Sequence, residues 1–116
     1  MSYTMVPNLP PPIAYLEVCI HAADAGVGPG PWKVTISGNG QPATSESVLA
    51  GQCSGDVLLP LGNYTVTESL RKSATVTSIA GAPIQPVSVD LAHGSGVFAT
   101  VGGTTETATF TDSSSG

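Results

Sequence analysis

Between Ala14 and Asp112 the chain never runs far without a helix breaker. Short Val/Ile/Thr/Tyr runs are separated by Gly, Pro, Asn, Asp and Ser clusters, and the chain carries 14 Gly and 10 Pro in 116 residues. That rhythm excludes helices of useful length and matches the strand-and-turn spacing of a β-sandwich. Strands are expected at 15–23, 32–37, 47–50, 56–59, 63–70, 75–79, 87–91, 95–101 and 104–111, an all-β fold of about seven to nine strands. The period-two rule points Leu16, Val18, Ile20 and Ala22 to one face of the first strand. Tyr15, Glu17, Cys19 and His21 take the other. Trp32, Val34 and Ile36 point inward on the second. Gly38-Asn39-Gly40 reads as a turn, and the 24–31 segment as irregular.

Residues 1–13 lie outside this pattern. Pro10-Pro11-Pro12 favours an extended arm, residues 14–112 form the sandwich, and 113–116 a flexible tail. The arm carries Tyr3, Met5, Val6 and Leu9, apolar residues that a solvated spacer would not need. It is therefore expected to contact neighbouring chains, as extended segments do at strand edges and in grooves.

Charge narrows the function classes. Charged residues are only 9% of the chain, with 3 Lys plus Arg against 8 Asp plus Glu and a net charge of -5. Phosphate tracking on nucleic acid and polybasic docking to anionic lipid both need many cations. Neither is expected, and no apolar run is long enough for a membrane-spanning helix. The residues before Ala14 show no signal-peptide pattern. The two cysteines, Cys19 and Cys53, suggest one disulfide and an oxidising compartment, two buried free thiols being the alternative.

Candidate chemistry is sparse. Cys19, His21, Cys53 and His93 lack zinc-type spacing, so no metal site is expected. There is no nucleophile elbow, and the Gly-rich segments carry no phosphate-binding lysine. Trp32 and Tyr64 fall on core faces, which removes them as sugar-stacking platforms. Asn63-Tyr64-Thr65 is formally a glycosylation sequon, at a strand start where Asn is common anyway. One arrangement stands out. Glu68 shares its parity with Tyr64 and Val66, and Asp112 with Ala108 and Phe110, so both carboxyls point toward the core, or its rim where water reaches them.

The stretch Cys53-Ser54-Gly55-Asp56-Val57-Leu58-Leu59-Pro60-Leu61-Gly62-Asn63-Tyr64-Thr65-Val66-Thr67-Glu68 resembles the centre of prealbumin-like (collagen-adhesin B-type) immunoglobulin-like domains of high-GC Gram-positive surface proteins. Leu16-Glu17-Val18-Cys19 and Ala108-Thr109-Phe110-Thr111-Asp112 resemble the family's first and last strands. The resemblance implies a prealbumin-like sandwich and a Cys19–Cys53 bridge. Many members join a first-strand Lys to an Asn or Asp of the last strand with help from a buried acid. By that resemblance Glu68 is the helper and Asp112 the acceptor, but the amine position falls on Ile20. No isopeptide crosslink is expected.

The chain is therefore expected to be a non-enzymatic, cofactor-free structural and protein-interaction module. It would be displayed on an extracellular or cell-envelope surface, its partners being protein neighbours, itself included. The alternative is a decoration or capsid-cement protein on the virion exterior of a phage with a high-GC Gram-positive host. Intact-mass measurement tests the covalent reading: native protein should gain two hydrogens on reduction and show no loss of one water. A water deficit would reveal a crosslink through Lys33 or Lys72.

Overall fold

The computed structural model describes residues 13–28, 30–69 and 74–114. The expected arm contacts at Tyr3, Met5, Val6 and Leu9, together with Leu70 and Lys72, lie outside these residues. The described chain is an all-β sandwich of nine strands. They are β1 (Ile13–Ala22), β2 (Trp32–Gly38), β3 (Gln41–Val48), β4 (Val57–Pro60), β5 (Asn63–Glu68), β6 (Ala74–Ala82), β7 (Ser88–Asp90), β8 (Ser95–Ala99) and β9 (Thr105–Ser114). One sheet has the order β4-β1-β9-β6, the other β3-β2-β5-β8-β7.

Alternation builds the core between them. Ala14, Leu16, Val18 and Ile20 of β1 and Ala108 and Phe110 of β9 face Trp32, Val34 and Ile36 of β2, Tyr64 and Val66 of β5, and Phe98 of β8. Each large side chain so removed from water contributes about 1.5–3 kcal/mol. β6 departs from strict alternation. A bulge between Val76 and Ser78 adds a residue, so that Val76 and Ile79 both face inward although three positions apart. Thr77, at the bulge, donates its hydroxyl to the Thr111 carbonyl at 3.2 Å.

The differences from the sequence reading are local. β3 starts at Gln41, six residues before the strand expected at 47–50, because Ala43–Ser47 is a polar edge segment without an apolar face. The 24–31 loop is not wholly irregular: Ala25–Val27 forms a single 3₁₀ turn capped by Asp24, whose Oδ1 accepts the Gly26 amide at 2.9 Å. β1 begins at Ile13, and β9 runs through Ser113 and Ser114, where a tail was expected. Those serines pair with Thr75 and Ala74, and the Ser114 amide donates to Asp24 Oδ2 at 3.2 Å.

The Pro60-Leu61-Gly62 turn carries the chain from one sheet to the other, and polar groups fix it. The Tyr64 hydroxyl donates to the Pro60 carbonyl at 2.6 Å and accepts from Asn39 Nδ2 at 3.1 Å. Asn39 Nδ2 also donates to the Leu61 carbonyl at 2.9 Å. The buried Thr100 hydroxyl accepts the Gly62 amide at 3.0 Å. Gly62 sits at φ 155°, and a Cβ there would lie 2.7 Å from Asn39 Cγ, so only glycine fits. Tyr64→Phe keeps the ring and removes the hydroxyl network. It should cost about 1–2 kcal/mol in urea unfolding, with the far-UV spectrum unchanged.

Candidate functional site

The core contains three carboxylic acids. β9 turns Glu106, Ala108, Phe110 and Asp112 inward, and β5 turns Glu68 inward. Their exposures are 1% for Glu106, 0% for Asp112 and 2% for Glu68. The expected inward parity of Glu68 and Asp112 holds, and neither sits at a rim open to water. Glu106 was not anticipated, although the parity of Ala108 extended two residues toward the N-terminus finds it.

An ionised carboxylate sealed from water is costly, so each acid must gain hydrogen bonds or keep its proton. Glu106 Oε1 accepts the Ile84 amide at 3.0 Å. Burial pushes its pKa up, and the Ile84 amide offsets part of that rise. Gly81 makes room for it: a Cβ there would lie 2.5 Å from the Ile84 carbonyl oxygen and 2.6 Å from Glu106 Oε2. Glu106 thus ties the segment after β6 to the centre of the sheet, a structural task.

Glu68 and Asp112 meet across the sandwich. Burial pushes the Asp112 carboxyl up, and the neighbouring Glu68 side chain opposes that rise in part. Neither Asp112 oxygen has a hydrogen-bond partner among the described residues, so burial favours the protonated form of this carboxyl. Asp112 lies opposite Ala22 of β1 and Val76 of β6, while Glu68 lies opposite Val34 of β2. Ile20, at the expected amine position, is 1% exposed and opposite Phe110. Lys33 is exposed on the outer face of the other sheet. The two acids come together, and the inward β1 side chains beside them are aliphatic.

Cys19 and Cys53 are bridged, with Cα atoms 4.0 Å apart. The bridge lies on the outer face of β1 and anchors the 49–56 connection alongside that strand. The two histidines are on the surface. His93 Nδ1 pairs with Asp90 Oδ2 at 2.7 Å with both side chains largely exposed. Hydrogen bonding to His93 holds Asp90 below the usual carboxylate range, and hydrogen bonds to Ser114 do the same for Asp24.

These shifts have opposite consequences for stability. Asp112 and Glu106, with raised values, favour the folded state most when protonated. Their stabilisation is complete below the ordinary value, 3.8 for Asp112, and is lost as pH rises through the shifted value. Asp24 and Asp90 act in the reverse sense, but from exposed positions where solvent screens them. Stability should therefore rise as pH falls through the raised values of Asp112 and Glu106 toward the ordinary carboxylate range. The slope is up to about 1.4 kcal/mol per pH unit for each proton taken up. Asp112→Asn should match or exceed the parent stability at neutral pH and lose part of the acid gain, as read from urea midpoints across pH. A parent protein that weakens steadily on acidification would show the core pair to be ionised.

No protein-family model, curated protein or solved structure matches this chain.

Proposed function

We propose that the protein is a non-enzymatic structural module that works by contact with protein neighbours on an extracellular or cell-envelope surface. The observation that carries this reading is an apolar stripe on the outside of the β4–β1 edge. Tyr15 and Leu58 are register partners on adjacent strands and both point outward, with 42% and 55% exposure. Ile13, Leu61 and Val101 are likewise exposed, and Gly102 lies beside Leu61 with the Ile13 carbonyl close by. Exposed apolar side chains gathered at one edge suit a contact with a protein neighbour.

Three further features support the reading. The buried acids are sealed from solvent and unavailable to a substrate. The Cys19–Cys53 bridge suits an oxidising compartment. In sequence, the arm with Tyr3, Met5, Val6 and Leu9 leads directly into Ile13, so arm and stripe are joined at one end of β1.

Replacing Leu58 by Lys places a charge at the centre of the stripe while leaving the core untouched. The variant should keep the parent melting temperature and lose self-association or partner attachment by at least about tenfold, as measured by light scattering and pull-down against envelope extracts. Deleting residues 1–12 separates the arm from the stripe. If both changes leave every association unaltered, the contact reading fails.

A further inference from the structure

We propose that the Cys19–Cys53 bridge is the oxidised state of a thiophilic metal site, and that the reduced protein binds one zinc ion through Cys19, Cys53 and Glu17. The two sulfurs and a Glu17 carboxylate oxygen lie within 4.8 Å of one another, a donor set of two soft sulfurs and one hard oxygen. A tetrahedral zinc centre needs sulfurs about 2.3 Å from the metal and thus about 3.7 Å apart. With the bond open, that separation would come from rotation of the two cysteine side chains, whose Cα atoms are 4.0 Å apart.

The backbone is fixed independently of the bridge. On one side of the Cys19–Cys53 pair, the Ile20 amide donates to the Gln52 carbonyl at 3.1 Å and the Gly51 amide to the Ile20 carbonyl at 2.8 Å. On the other, the Ser54 amide donates to the Val18 carbonyl at 2.7 Å, and the Val18 amide donates to Ser54 Oγ at 3.1 Å. These bonds hold the two cysteines opposite each other whether or not the sulfurs are joined. The third ligand is steered too, since the Thr107 hydroxyl donates to Glu17 Oε1 at 3.4 Å. Cys53 is exposed, so a reductant reaches the bridge and the metal's fourth position opens to water.

The chemistry balances with a dithiol reductant. The reductant passes two electrons and two protons to the bridge and becomes a disulfide itself. The Cys19–Cys53 bond breaks to give two thiols. Zinc then binds, each thiol releases its proton to solvent, and the Glu17 carboxylate completes the protein ligands. A chain holding zinc in this way would resist reoxidation until the metal is removed.

The test titrates zinc into the reduced and the oxidised protein against a chromophoric chelator, with cobalt replacing zinc to show sulfur-to-metal charge transfer. One equivalent should bind to the reduced protein and none to the oxidised. Cys53→Ser should abolish both binding and the charge-transfer band. Glu17→Gln should weaken binding at least about tenfold with both thiols still titratable. Failure of the reduced protein to bind, equal binding by Cys53→Ser, or an unchanged affinity in Glu17→Gln would each overturn the site. So would a far-UV spectrum showing that reduction unfolds the chain, because the ligands must be held by the ladder.

Discussion

The parallel pairing of β1 with β9 is the contact on which the rest of the sandwich depends. It joins the first strand to the last over eight consecutive registers, from Tyr15↔Thr105 to Ala22↔Asp112. Both strands are central in their sheet, with β4 and β6 outside them. Among the described residues no other pairing closes the chain at so large a sequence separation, and its loop-closure entropy has to be met before any of its contacts form. Until the pair exists, β4–β1 and β9–β6 are separate two-stranded ribbons, and the second sheet has no complete apolar face to cover it. Glu106 and Asp112 reach the interior by the same route.

Outside, the molecule uses hydroxyls where most domains use charge. β9 presents Thr105, Thr107, Thr109 and Thr111 outward, and the other sheet presents Thr35, Ser45, Thr67 and Ser95 in one row. Threonine fits a pleated, half-exposed surface and keeps it polar. With so few charges, edge protection falls to other devices: Pro42 on β3, Pro60 on β4 and the three-residue length of β7. The β4–β1 edge is the exception, where apolar side chains lie open.

What could be read from the chain followed from periodicity. β1, β2, β5 and β9 alternate cleanly, so their inward residues were legible, including Trp32, Tyr64, Glu68 and Asp112. Where periodicity is broken or absent, the reading shifted. β3 has no apolar face over its first residues, because it is an edge strand exposed on both sides. The bulge in β6 displaces the inward set by one residue, and no local signal marks it. The meeting of Glu68 with Asp112 is a contact between sheets, and a strand pattern carries no information about which residues face each other across a core. That the acids converge was legible only through the family resemblance. Strand parity left open whether they were sealed in the core or sat at a wet rim, and the packing around them decides for the core.

The buried acids also solve a problem that the apolar residues of β9 leave open. Over Thr105–Ser114, only Ala108 and Phe110 are apolar and inward, so hydrophobic burial alone discriminates weakly among registers of this strand. A one-residue slip is excluded because it would turn Phe110 out and threonines in. A two-residue slip keeps every side chain on its proper face, but it puts Phe110 and Ala108 into sites of the wrong size. It would also carry Glu106 away from the Ile84 amide, leaving a buried carboxyl without that partner. The polar contact thus adds to the register discrimination that side-chain size supplies. A core with Val at both acid positions would gain stability from burial and leave the choice among in-phase pairings with β1 to the size difference between Ala108 and Phe110.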